Sequence, residues 1–116
     1  MTNVKIQNFD RDGEHADRPH ARVSTVKLLT GNVNRLVLEP GWKWSVDIAP
    51  LVGTETCQVH HMGYVTQGTV VVLHSGEESS YTAGDVYEIA PGHDAWVVGD
   101  TPAICYEFSG VWSAPK

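Results

Sequence analysis

Six histidines and two cysteines are the soft, metal-capable donors of this chain. Half of them fall at four positions, Cys57, His60, His61 and His93. His60 and His61 are adjacent. Successive residues of a strand point to opposite faces, so the two cannot hold one metal without a bulge. Cys57 lies four residues before His61 and shares its face of a strand. His93 follows the Pro91–Gly92 corner and precedes Asp94. Imidazole titrates near neutrality, so His93 could be a metal ligand or an acid/base. Imidazole with thiolate or carboxylate suits zinc, iron, nickel or manganese. Three such ligands with an open position would be a catalytic arrangement. The same residues admit plainer roles: a buried histidine bonded to a neighbour, and a cysteine packed as a small hydrophobe.

Around these donors, Gln58 and Tyr64 could supply polar contacts to a ligand. Trp44, Tyr87 and Trp96 could wall a pocket or fill a core. Glu55, Glu88 and Glu107 are scattered and do not form a paired-carboxylate motif. No nucleophile elbow, phosphate loop, zinc-protease helix motif or dinucleotide fingerprint occurs.

The elements that must position these residues read as strands. Val23 to Leu29 and Val33 to Leu38 are β-branched and aliphatic. Trp42, Trp44, Val46 and Ile48 alternate with Lys43, Ser45 and Asp47, which predicts a half-buried strand. Residues 50–56 read as a loop. Strands are expected over Cys57 to Thr66, Thr69 to His74, Val86 to Ile89, Ala95 to Val98 and Ile104 to Phe108. Gly84-Asp85 and Pro91-Gly92 mark turns. Many short strands with Gly, Pro and Asp turns predict a sandwich or barrel. No segment has a clear helical period. Val70-Val71-Val72-Leu73 is apolar at every position, which predicts cover on both faces, by a second copy of the chain in a homodimer.

Composition narrows the function classes. At 116 residues the chain is long enough for one core without metal or disulfide staples. Eight basic against 14 acidic residues give a net charge of −6. With no Lys/Arg cluster, nucleic acid and anionic membrane are poor partners. The two cysteines form no CxxC and are expected as free thiols. The N-terminus lacks the pattern of a signal peptide, so a cytoplasmic location is expected. Residues 10–22 are polar and without periodicity, and read as an exposed segment containing His15 and His20. The expected organisation is an N-terminal strand and polar arm over residues 1–22, then one β-barrel domain over 23–116.

Two blocks carry a family resemblance: Tyr64-Val65-Thr66-Gln67-Gly68, and Gly84-Asp85-Val86-Tyr87-Glu88-Ile89-Ala90-Pro91-Gly92-His93. Together they resemble the paired motifs of the cupin superfamily, and the chain looks like a small single-domain bacterial cupin from about Leu38 to Phe108. The resemblance implies an all-β, double-stranded jelly-roll barrel. It also implies a divalent metal held by three histidines and a glutamate. Carried over residue by residue, Gly41 and Gly68 match the ends of the first motif. His61 stands in the glutamate place, and Asp47 and Ala49 in the His-x-His places. Gly84 and Gly92 match in the second motif, with Ala95 where a histidine belongs and Gly99 where an asparagine belongs. His93 lies two residues before Ala95 and so shares its strand face.

Two of the four ligand positions, Ala49 and Ala95, therefore carry no ligand atom. The donors left are Asp47, His61 and His93, with His60 and Cys57 nearby; His61 is the inward member of its pair by its motif place. The sequence favours a small-molecule-binding cupin with a central barrel pocket and a non-standard histidine site able to take one divalent ion (Zn, Fe, Ni or Mn). The alternative is a metal-dependent cupin enzyme of oxygenase, isomerase or cyclase type.

Overall fold

The computed structural model describes residues 3–109. Chain order is α1 (Phe9–Asp12), β1 (Glu14–Arg18), β2 (Ala21–Lys27), β3 (Asn32–Leu38), α2 (Trp44–Asp47), α3 (Ala49–Val52), β4 (His61–Gln67), β5 (Thr69–His74), β6 (Glu77–Thr82), β7 (Val86–Ile89), β8 (His93–Val98) and β9 (Ala103–Ser109). Two antiparallel sheets form, a six-stranded one ordered β1-β2-β3-β9-β4-β7 and a three-stranded one ordered β6-β5-β8.

Period-2 burial explains the strands. Leu36 and Leu38 of β3, Val65 of β4, Val70 and Val72 of β5, Val97 of β8 and Ala103 of β9 are buried and face the interior between the sheets. Their neighbours along each strand are less buried. The Val70–Leu73 run thus alternates after all: Val70 and Val72 are core, and Val71 and Leu73 are half-buried on the outer face. Gly84 and Gly92 hold the expected turns with φ of +97° each, a region L side chains avoid. The polar arm is not a loose segment. β1 pairs with β2 along five residue pairs, so arm and barrel share one sheet. No helix among the described residues is long and apolar enough to cross a membrane.

The strand expected over Trp42 to Ile48 is not formed. Residues 44–47 are helical, not a strand, and a second turn follows over 49–52. Trp42, Trp44, Asp47 and Ile48 are buried while Val46 is 65% exposed. Trp44, Asp47 and Ile48 recur at i, i+3, i+4, which is the helical period. Two side chains close the exposed N–H groups of that turn. Asp47 Oδ2 accepts from Lys43 N (2.9 Å), and Asp94 Oδ1, from β8, accepts from Ser45 N (3.0 Å). With Val97 N–H donating to Trp42 O (3.0 Å), this fastens the segment to β8 and sends both indoles inward.

Candidate metal centre

Cys57, His61 and His93 converge, each fully buried, with one donor atom apiece lying within 4.8 Å of the others. The backbone explains how. Cys57 lies outside any strand but makes an isolated bridge to His93. Its N–H donates to His93 O (2.8 Å), and its carbonyl accepts from Gly92 N (2.7 Å). Bridged partners project side chains to the same side. β4 then begins at His61, whose inward alternation with Gly63 and Val65 brings its ring against His93, centroids 5.1 Å apart and edge-on.

Each histidine is held by the nitrogen it turns away from the group. His61 Nδ1–H donates to Glu107 Oε1 (2.8 Å), and His93 Nδ1–H donates to Ala90 O (2.8 Å). Those acceptors hold each Nδ1–H, so the Nε2 side of each ring is the one presented to the group. Cys57 Sγ lies 3.5 Å from His61 Nε2. Two ligands of one tetrahedral zinc, at standard Zn–S and Zn–N lengths, stand about 3.5 Å apart.

Glu107 is the functional residue sequence reasoning passed over. It is buried, and its Oε2 accepts the Tyr87 hydroxyl (2.6 Å). Glu107 of β9 and Tyr87 of β7 stand opposite Gly63 of β4 from either side. A Cβ at Gly63 would come within 2.4 Å of Tyr106 O and 2.8 Å of the Tyr87 hydroxyl oxygen. The missing side chain is what lets glutamate and tyrosine meet across a strand. A signal existed. Ala103, Cys105 and Glu107 alternate as the buried face of β9, which places a carboxylate in a core row.

The electrostatics follow from this packing. Burial pushes the Cys57 thiol up, but hydrogen bonds to His61 and His93 pull it down, to about 7. Burial opposes charge on His61, but Cys57 and Glu107 outweigh it and raise the imidazole to about 9. Burial, with the Glu107 charge beside it, raises Tyr87, so its phenol remains a donor. Burial and the same carboxylate push Cys105 up to about 12. Both cysteines are free and buried, as expected, but only Cys57 is poised as a thiolate.

The remaining sequence candidates lie elsewhere. Asp47 is buried, but its carboxylate is taken by Lys43 N and by His20 Nδ1 (3.1 Å). It caps a helical turn that the predicted strand did not contain. His60 points away from His61, as strand geometry requires, and pairs with Glu88 (2.8 Å) on the surface. Gln58 is exposed and bonds Thr56 Oγ1 (2.6 Å). Tyr64 is 40% exposed on the outer face of β4. Trp96 lies on the outer face of β8, with Lys43 Nζ 5.0 Å from its ring centre. Of the expected pocket walls, Tyr87 and Trp44 do face the interior.

The space they enclose is small. A cavity of about 20 Å³ is bounded by Trp44, His61, His93, Tyr81, Tyr87 and Glu107 among others. That holds one water or one ion and no organic molecule. The central pocket expected for a small molecule is therefore filled by the two tyrosines and the tryptophans. Trp44 Nε1–H is buried and has no acceptor among the described residues. Leaving such a donor unmade costs about 1–3 kcal/mol, and an oxygen held in this cavity would satisfy it.

No family profile matches the sequence, and no curated protein matches it. Solved structures do. An RmlC-like cupin from Shewanella frigidimarina superposes with a TM-score of 0.61 over 97% of each chain at 16% identity. The chain has a cupin fold. KdgF from a Halomonas species matches with a TM-score of 0.57 at 17% identity, over 94% of this chain and 96% of that one. A protein of unknown function from Vibrio parahaemolyticus gives 0.61 at 16% identity, over 84% and 98%. Within the cupin fold, the potential donors that converge in this chain are Cys57, His61 and His93, where the resemblance implies three histidines and a glutamate.

Proposed function

We propose that this cupin binds one divalent metal ion through Cys57 Sγ, His61 Nε2 and His93 Nε2, with zinc the best fit to a thiolate and two imidazoles. One observation carries the reading. Both histidines have Nδ1–H tied to an acceptor and Nε2 turned toward the cysteine, the pattern by which metal-binding histidines are oriented. The residues present fit the ion in three further ways. The thiol is easily deprotonated. The two histidines also border a cavity with room for a single small occupant, which Cys57 does not itself line. An orphaned indole N–H asks for an oxygen there. When bound, the ion supplies a Lewis acid with a fourth position open to a small ligand.

The chain's own residues do the rest. Glu107 orients His61 and raises its basicity, and Tyr87 orients Glu107. The tyrosines and Trp44 keep bulk water from the group. Cys57, His61 and Glu107 also trace a nucleophile–base–acid line. Acyl chemistry does not suit it here, because Cys57 is 1% exposed and the adjoining cavity admits no acyl group.

The test is zinc titration of demetallated protein by calorimetry, with elemental analysis. Wild type should take up close to one zinc per chain, and Cys57→Ala and His61→Ala should each lose it. A folded wild type that takes up none would refute the reading.

A further inference from the structure

The barrel is open along one side. β6 and β7 are the outermost strands of different sheets, each paired on one side only. Between them runs a groove of about 520 Å³. That lies in the range of small-molecule sites; the inner cavity does not. The two spaces share a wall. Tyr81 and Tyr87 stack 4.2 Å apart, 12° from parallel, and both line the groove on one side and the inner cavity bordered by His61 and His93 on the other. The members of that wall differ in freedom. Tyr87 is pinned to Glu107 (2.6 Å), while the Tyr81 hydroxyl has no hydrogen bond among the described residues.

The groove has a definite charge. Asp85 and Glu88 line it, with the Ser79 hydroxyl, and no lysine or arginine does. Ile89, on the inward face of β7, and Val86, exposed on its outer face, add apolar area at the two sides of that strand. Its one histidine, His74, is turned to the backbone at Pro91 O (3.0 Å) and to Ser75 Oγ (3.0 Å). A carboxylate or phosphate here would meet like charge and no cationic partner. An ammonium would meet an aromatic face and two carboxylates, Asp85, whose Oδ2 also accepts from Thr82 N (2.8 Å), and Glu88, whose Oε2 also pairs with His60 (2.8 Å), and its alkyl part would lie over Ile89.

We propose that the groove between β6 and β7 binds small alkylammonium compounds, with Tyr81 the movable partition between them and the Cys57–His61–His93 group. The first half stands on the groove alone; the role of the partition rests on the metal reading above.

The experiment is an amide NMR titration of demetallated and zinc-loaded protein with butylammonium, 1-butanol and butyrate, three probes matched in length and differing in charge. Butylammonium should shift the amides of β6 and β7 saturably, 1-butanol more weakly, and butyrate not at all. The Asp85→Asn/Glu88→Gln variant should bind butylammonium at least tenfold more weakly. Both replaced residues are exposed and lie outside the metal group, so zinc uptake should stay at the wild-type level. Butyrate binding as tightly as butylammonium, shifts scattered outside β6 and β7, or no saturable shift would each overturn the proposal. Cys57→Ala separates the two readings, since it should lose zinc yet keep the groove response.

Discussion

Replacing Glu107 with Gln tests whether the buried chain from Tyr87 to His61 supports the metal group. The carboxylate accepts two hydrogen bonds, from His61 Nδ1 at 2.8 Å and from the Tyr87 hydroxyl at 2.6 Å. Both partners and the carboxylate are buried, so water cannot stand in. Glutamine keeps one oxygen. If that oxygen serves His61, its amide must face Tyr87, whose hydroxyl then accepts and leaves its own proton unpaired. One buried donor is orphaned whichever way the amide turns, at about 1–3 kcal/mol. At this chain length that is roughly 3–12 °C in melting temperature. The second effect falls on the metal. Loss of a carboxylate behind a ligating histidine weakens metal binding by about 10–100-fold. It also removes one of the charges that hold His61 protonated, so the imidazole should titrate below its raised value in demetallated protein. Zinc competition against a calibrated chelator and thermal unfolding with and without zinc measure both effects. Zinc affinity within twofold of wild type, with an unmoved melting temperature, would refute the argument. Tyr87→Phe serves as the control. It should lower stability and leave zinc affinity closer to wild type, because the His61 bond to Glu107 survives.

Gly63→Ala should destabilise by at least about 1–3 kcal/mol, since its methyl would collide with Tyr106 O and displace the Tyr87 hydroxyl; wild-type melting would count against the close approach across β4. In demetallated protein, the His61 contribution to stability is fully present below the unfolded value of 6.5 and is lost as pH rises through about 9. The Cys57 contribution is present above its unfolded value of 9.0 and is lost as pH falls through about 7. The charged pair should therefore span pH 7 to 9, with thiolate absorbance of a Cys105→Ala variant rising near 7; a single thiol transition near 9 would disprove the pairing. The homodimer expected from the Val70–Leu73 run is checked by sedimentation. Wild type should run as a dimer and Leu73→Glu as a weaker one, because a charge in an apolar contact goes unpaired; a monomeric wild type removes the expectation.

Strand positions were legible in this sequence because the signals are local. Val86 to Ile89 and Thr69 to His74 are strands in the structure with those same bounds. The turn glycines Gly84 and Gly92 were readable for the same reason: a backbone need shows as a residue type. The segment from Trp42 to Ile48 was misread because Trp42, Trp44 and Ile48 fit an alternating period while Trp44, Asp47 and Ile48 fit a helical one. What decides is cover from β8, through Asp94 and Trp42, and a local pattern cannot show that. Asp47 entered the donor set by its motif place alone, against the alternation, which would have put it on the outer face. His61 and His93 were found through motif position, and Cys57 by sharing the His61 face. Glu107 was missed because its role depends on reaching Tyr87, two strands away, across the glycine that pairs with both, a register that only strand pairing reveals. Tyr64 and Trp96 were assigned to a pocket by residue type alone, and strand parity places both outside.

X-ray absorption at the zinc edge of the zinc-loaded protein tests the central claim most directly. One sulfur at about 2.3 Å and two imidazole nitrogens at about 2.0 Å, completed by a light atom, are expected. The sulfur should vanish in Cys57→Ser and persist in Cys105→Ser. A zinc shell of nitrogen and oxygen only in wild type, or a sulfur that survives loss of Cys57, would contradict the assignment of Cys57, His61 and His93 as the metal ligands.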